Sequence, residues 1–297
     1  MPSFSDLVDD TLIALSGYTQ RQDQATYLTQ AMTDSQTTMV VADASTLSRG
    51  LVEVGDELMW VDSFDRTNNT VTLAPYGRGF RATQKSPHSV GDRVTVAPSF
   101  PRDIIRKQIN NSVSGVFPDI FGVYYTTFTF ISSQNTYELP SEVDEILQVT
   151  WQTTGPTQEW LPVRQYSVNK NAYVGQFNTG KTISVYDGIV PGRTVHVVYS
   201  RQPEEMLLSG DDFEDVTKLP SYAKEAVVLG AAYRMASFMD VGRLPVQAAE
   251  VDQIDQQSPV GSGGTVTRAL YALYQQRLSV ASGRQQEDFP IRVRYGR

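Results

Sequence analysis

Residues 219–242 read LPSYAKEAVVLGAAYRMASFMDVG, and this stretch decides the fold because nearly all of it favours one conformation. Pro220 fits a first helical turn, where a missing N–H costs nothing, and Gly242 with Pro245 predicts the stop. Lys224 and Glu225 are the last charges before the core, and from Ala226 to Met239 only Arg234 is charged. A helix that is apolar nearly all round is buried against neighbours on more than one side. Gly230, Ala231, Ala232 and Ala236 are small enough to let other backbones approach. The run is too short to span a bilayer, which takes about 20 apolar residues. The expectation is a central helix of a bundle, packed by the same chain or by further copies of it. Tyr222, Val227, Gly230, Tyr233 and Phe238 are the candidate residues for packing between subunits.

Upstream, Ser3 to Gly17 reads as a short amphipathic helix, with a serine cap, acids in the first turn, and Val8, Leu12 and Leu15 on one face. A polar connection, Tyr18 to Gln36, follows. The texture then turns to β from Thr37 to Pro98, where TTMVV, LVEVGDELMWVDSFD, NNTVTLAPY and DRVTVAP alternate apolar and polar residues. Gly55-Asp56 and Asn68-Asn69 fall where hairpin turns are expected. Pro101 to Phe117 reads as a helix with the stripe Ile105, Ile109, Val113 and Val116. Its other face leaves Arg102, Arg106, Lys107, Asn110 and Asn111 to solvent or a partner. A second β-region runs from about Tyr124 to Tyr199, punctuated by Pro140, Gly155-Pro156, Gly188 and Pro191-Gly192.

Beyond the central helix and an acidic loop, Glu204 to Asp215, come a polar GSGG hinge and a last helix to about Ala281. Val266, Leu270, Leu273, Arg277 and Leu278 lie near helical spacing there. The chain ends in RQQEDFPIRVRYGR, a basic tail on an acidic protein. The order of elements predicts an α+β fold, with a helical bundle body, an inserted antiparallel β-domain, a second β-region and an extended C-terminal arm. The expected divisions are 1–36, 37–98, 99–123, 124–203, 204–283 and 284–297.

With 297 residues and 40% hydrophobic content, the chain can bury a substantial core. Thirty-three acidic against 25 basic side chains give a net charge of −8. That balance argues against holding nucleic acid by overall attraction. Cysteine is absent, which removes disulfides and thiolate metal sites. Met1 to Thr19 lacks the pattern of a signal peptide, so use in a cytoplasm, or in a particle built there, is expected.

The residues that could carry chemistry are few. His88 and His196 have no second histidine or cysteine at ligand spacing, so both read as structural. Glu142 with Asp144 and Glu145, and Asp211 with Asp212, read as solvated loops and not as an acid pair, which requires opposed geometry. No nucleophile elbow, phosphate loop or dinucleotide fingerprint is present. No cofactor, metal or catalytic residue is expected. The most distinctive segment is the loop YGRGFRATQKSPHSVGD. It sets Arg78, Arg81 and Lys85 beside Tyr76 and Phe80, as a candidate contact for a partner or phosphate or else a glycine-stabilised loop with solvated charges.

Five segments together resemble a known family: the helix SFSDLVDDTL, the insert ending PYGRGFRATQKSPHSVGDRVTV, FPRDIIRKQIN, TYELPSEVDEILQVTW and the closing FPIRVRYGR. In order and texture the chain resembles the head-to-tail connector or adaptor proteins of tailed bacteriophages. That resemblance implies a non-enzymatic virion protein of the neck, assembled in the host cytoplasm. It implies a homo-oligomeric ring, typically of twelve copies, that sits beneath the portal, meets downstream tail or neck proteins and continues the DNA channel. Double-stranded DNA would pass without sequence-specific binding, and no membrane is involved. Phe289, Ile291, Arg292, Val293, Arg294, Tyr295 and Arg297 would form the portal-binding arm. The alternative is a tail-located, β-rich protein that recognises a host-surface glycan or another tail protein, with Trp60, Trp151 and Trp160 as stacking candidates.

Overall fold

The computed structural model of the chain describes residues 2–16, 23–154, 159–249 and 262–290, with backbone alone for 239–249 and 262–266. Helices and antiparallel sheets are both present, so the fold is α+β. The chain divides into two compact units. One comprises Ser5–Asn111 and Val228–Ala272; the other comprises the described residues of Met1–Phe4, Ser112–Val227 and Leu273–Arg297.

Helix α1 (Phe4–Leu15) opens the chain and buries Phe4, Leu7, Val8 and Leu15. The β-domain that follows has strands β1 (Gln24–Tyr27), β2 (Thr38–Val40), β3 (Gly50–Val54), β4 (Glu57–Asp65), β5 (Thr70–Leu73) and β6 (Arg93–Val96). Their order is β1-β6-β3-β4-β5-β2, antiparallel throughout. Strand β1 lies in what reads from sequence as a polar connection. Only Thr26 of its four residues is buried, so alternation is barely visible in QATY. The outer strands β1 and β2 meet through a bridge between Leu28 and Val41. The Thr29 N–H donates to Val40 O at 2.9 Å, and the Ala42 N–H donates to Tyr27 O at 2.8 Å. These bonds satisfy backbone groups that an open edge would leave to water. The turn residue of β3–β4 is Gly55, at φ 59°, and Asn69 at φ 53° serves β4–β5, where asparagine tolerates the left-handed region. Inside lie Leu28, Met39, Val52, Met59, Val71 and Val94.

Helix α2 (Arg102–Gly115) buries Ile105, Ile109, Val113 and, just beyond its end, Val116. Its first turn is not left to solvent as the sequence suggests. Arg102 pairs with Asp56 at 2.9 Å and with Asp9, and Arg106 reaches Asp56 at 3.4 Å. The Arg102 N–H donates to Glu53 Oε2 at 2.7 Å. Burial pushes the Glu53 carboxyl up to about 7, and that backbone hydrogen bond only partly offsets the effect.

In the other unit, β7 (Gly122–Thr129), β9 (Ile146–Gln152), β10 (Trp160–Pro162) and β13 (Thr194–Arg201) form a sheet ordered β10-β9-β13-β7. A second sheet is ordered β11-β12-β8, from β8 (Thr136–Glu138), β11 (Tyr166–Asn169) and β12 (Thr182–Val185). Strand β13 is bonded on both sides, to β7 and to β9. Its alternation sends Val195, Val197 and Tyr199 into a core with Tyr137, Val149 and Ile183.

The acidic segment after β13 is tied down. The Phe4 N–H donates to Asp211 O at 2.8 Å, and Asp211 Oδ2 accepts from the Leu207 and Leu208 N–H groups at 2.7 and 2.8 Å. Asp212 caps a short helix α3 (Phe213–Thr217) by accepting from the Glu214 and Asp215 N–H groups. Pro220 precedes a 3₁₀ turn, Ser221–Ala223, which leads into α4 (Lys224–Ala249). The helix runs through Gly242 and Pro245, where the sequence predicts its end; a proline there removes one intrahelical donor without stopping the turn. Helix α5 (Ser262–Asp288) takes in Ser262 to Gly264, read from sequence as part of a hinge, and ends after the expected Ala281.

Glu53 gives the first unit a pH dependence of definite sign. Its folded carboxyl titrates near 7 against 4.5 for the ordinary group, so folding binds its proton more tightly. The associated stability is full below pH 4.5 and lost as pH rises through 7. Urea midpoints of the chain measured across that range should fall with rising pH. Glu53→Gln, which keeps an acceptor for Arg102, should flatten the fall.

Candidate functional site

The residue that organises the C-terminal end of α5 is a glutamine. Among the described side chains of α5, the buried ones are Leu270, Tyr274, Leu278, Ala281 and Gln285, one stripe at three- and four-residue spacing. Leu273 and Arg277, which the sequence places near that stripe, face solvent instead. Gln285 is 1% exposed, so its amide has to find partners inside the protein. Its Oε1 accepts from the Phe121 N–H at 3.0 Å, and its Nε2 donates to Phe121 O at 2.7 Å. The side chain thus takes the place of a neighbouring strand for the residue just before β7.

Around this clamp, the rings of Phe121 and Phe289 lie 6.3 Å apart. The Tyr222 hydroxyl donates to Asp288 Oδ2 at 3.2 Å, and Arg284 lies 5.9 Å from the centre of the Tyr222 ring. Burial, then the Asp288 carboxylate, pushes the Tyr222 phenol up to about 12. Arg277 pairs with Glu225 at 3.0 Å on the surface. Of the arm residues, Phe289 is held in this cluster. Ile291, Arg292, Val293, Arg294, Tyr295 and Arg297 lie outside the described residues.

The packing candidates of α4 separate by burial. Val227 and Gly230 are buried within the single chain. Tyr222 is half-buried in the arm-root cluster, and Tyr233 sets its ring edge-on to Tyr271 at 5.3 Å. Phe238 is 65% exposed.

The glycine-rich loop divides in the same way. Arg78 is buried, and all five of its N–H donors are used. Nε and one Nη2 hydrogen go to the two Glu57 oxygens at 2.7 and 2.9 Å, the other Nη2 hydrogen goes to Ser86 O, and Nη1 donates to Thr33 O and Gln36 O. Its guanidinium donors are thus all engaged within the chain. Arg81 and Lys85 are exposed. Glu57 is fully buried and also accepts from the Gly79 and Ser86 N–H groups and from His88 Nε2, the last at 2.9 Å. Burial alone would raise its pKa; the hydrogen bonds from Arg78, His88, Ser86 and Gly79 outweigh it and hold the carboxyl at about 2. Gly79 adopts φ 62°, and a Cβ there would come 2.8 Å from Thr83 O.

His196 stands on the face of its sheet opposite the core, its ring 5.3 Å from Tyr125 and 5.7 Å from Trp160. Trp151 packs instead against the core, and Trp60 stacks at a tilt on Phe80 at 5.2 Å. Among the described residues no cluster of three histidine, aspartate or glutamate side chains is placed to hold a metal, and no helix is long and apolar enough to cross a membrane.

Sequence reasoning missed Glu57 and Gln285. Glu57 carries no local signal, because Arg78 and His88 are 21 and 31 positions away. Gln285 had one: it continues the spacing of Leu278 and Ala281 towards the interior.

Compared with known proteins, residues 90–294 match a family model described as SU10 adaptor protein. No curated protein matches the chain.

Three substitutions check this geometry. Gln285→Ala strands the Phe121 N–H and C=O and should cost about 1–3 kcal/mol in chemical denaturation, with faster hydrogen exchange at the Phe121 amide. Glu57→Gln breaks a buried ion pair and should cost about 3–5 kcal/mol near neutrality. The wild-type contribution of Glu57 is present above pH 4.5 and lost as pH falls through 2, so the variant's deficit should shrink over that acid range. Gly230→Leu should destabilise the isolated chain by about 1–3 kcal/mol through overpacking, measured as a lower urea midpoint.

Proposed function

Because the chain belongs to the SU10 adaptor protein family, and is therefore a phage adaptor protein, we propose that it assembles as a closed ring beneath the portal and joins the capsid to the tail. The observation that carries this reading is the fixed end of α5. The Gln285–Phe121 clamp and the Phe121–Phe289 contact anchor the chain just before its arginine-bearing terminal residues. An arm of that kind suits a partner reached at the end of a rigid element.

A repeated head-to-tail contact related by rotation closes a ring, and twelve copies match the number typical of head-to-tail adaptors. Phe238 and the outward apolar residues of α5, Leu273 and Val280, are available for such a contact. The net charge of −8 suits a lumen through which double-stranded DNA slides without sticking. In this reading the protein is non-enzymatic, binds no cofactor, is built in the host cytoplasm and resides in the virion neck. Its partners are the portal, downstream neck or tail proteins and further copies of itself.

A second reading, recognition of a neutral glycan by the outer sheet, is favoured by the row Tyr125–His196–Trp160. Its aromatic faces could stack on sugar rings. Saturable quenching of tryptophan fluorescence by host envelope polysaccharide, lost in Trp160→Ala, is what that reading requires.

Removing residues 291–297 tests the first reading. The shortened chain should keep its circular dichroism spectrum and cooperative unfolding yet fail to co-sediment with portal rings from the same phage. Unchanged co-sedimentation would exclude the arm as the portal contact.

A further inference from the structure

Beside the clamp lies a groove of about 370 Å³, contained within one unit. Phe117, Phe121, Ile146 and Leu147 are among its lining residues, and so are the acidic Asp119, Asp144 and Glu145. Lys170 touches Asp144 only at 3.5 Å, between two half-exposed side chains. Among the described residues no cation pairs with Asp119 or Glu145. Phe289 and Pro290, the last described residues of the chain, form part of the wall.

We propose that this groove is a peptide-binding site whose occupant is the chain's own terminal segment, residues 291–297. Three observations support that choice. The segment begins where the groove does, because Pro290 lines it. Its sequence alternates Ile291, Arg292, Val293, Arg294 and Tyr295. In an extended strand, alternate residues share a face, so one face would offer apolar side chains to Phe117, Phe121, Ile146 and Leu147 and the other would offer arginines to the acidic lining residues. Seven residues span at most roughly 23–25 Å, enough to cross a groove that opens at their own starting point.

The charges complement each other in a protein that is otherwise acidic. The groove takes the side chains of a few residues and not the whole segment, so Ile291 to Arg294 are the ones it holds. Other candidate occupants, such as the same segment of a second copy, would have to displace a ligand already tethered at the rim, which holds a high effective concentration. The consequence for assembly rests on the portal reading: the same residues cannot lie in the groove and on the portal at once. Docking would therefore release the arm, and a free subunit would keep it covered.

Tryptic cleavage after Arg292 and Arg294 reads the seat directly on the full-length chain, without any portal. Cleavage is followed by mass spectrometry at several protein concentrations and salt concentrations, with a free peptide of residues 287–297 as the unprotected reference. The wild-type arm should be cut roughly tenfold more slowly than the peptide, a ratio equal to about 1.4 kcal/mol of seating. Salt should accelerate the cut, and so should the double variant Asp119→Lys, Glu145→Lys. Asp119→Asn, Glu145→Gln, which perturbs the surface less, should lie between them. If the charge-reversal variant does not fold, the wild-type comparison and its salt dependence still decide. Cleavage at the rate of the free peptide overturns the proposal, as does protection that grows with protein concentration, which would assign the groove to another copy. Because no portal is present, failure here leaves the ring reading standing, and failure of portal docking leaves this protection unaffected.

Discussion

Glu57 is fully buried, so protein donors have to take the place of bulk solvent around its carboxylate. The two Arg78 nitrogens, the Gly79 and Ser86 amides and His88 Nε2 all converge on its two oxygens. A buried charge left short of partners would cost several kcal/mol, so the loop from Gly77 to His88 has to adopt the conformation that supplies them. Gly79 accepts a left-handed backbone to do so. Arg78 in turn reaches the carbonyls of Thr33 and Gln36, which fixes the segment before β2. One ion pair thus determines the shape of two connections that strand pairing alone would leave loose.

The same constraint works in the other unit with a neutral group. Gln285 is buried because it continues the apolar stripe of α5, and its amide then requires one acceptor and one donor. Phe121 offers both from its backbone. The result is a helix end held to the start of β7 by paired hydrogen bonds and by the ring of Phe289. Phe289 and Pro290 are thereby held beside the groove that Asp119, Asp144 and Glu145 line. Membership of the SU10 adaptor protein family gives this arrangement its context, while the β-domain of residues 24–96 lies almost wholly outside the matched span.

Much of the fold was legible because local periodicity dominates it. All four apolar positions of the α2 stripe are buried, and both hairpin turns carry the residue with positive φ that their geometry requires. The α+β class followed from the same alternation. Strand β1 was not legible, since QATY buries a threonine and owes its conformation to the pairing of Gln24 to Tyr27 with β6. The stop at Gly242 and Pro245 was misread because the backbone of α4 continues past one missing donor. The candidate site was less legible still. Charge suggested that Arg78, Arg102 and Arg106 were left to solvent or a partner, and each is engaged by carboxylates distant in sequence. Apolar character suggested that Val227 and Gly230 met another subunit, and the chain covers both itself. Composition reports what a residue can bind, and the fold decides whether a partner from the same chain reaches it first.

The most direct measurement of the central claim is electron microscopy with class averaging on the intact chain mixed with portal rings from the same phage. The account predicts a second ring stacked coaxially beneath the portal. Portal rings that remain bare, with the chain folded and monomeric beside them, would contradict it.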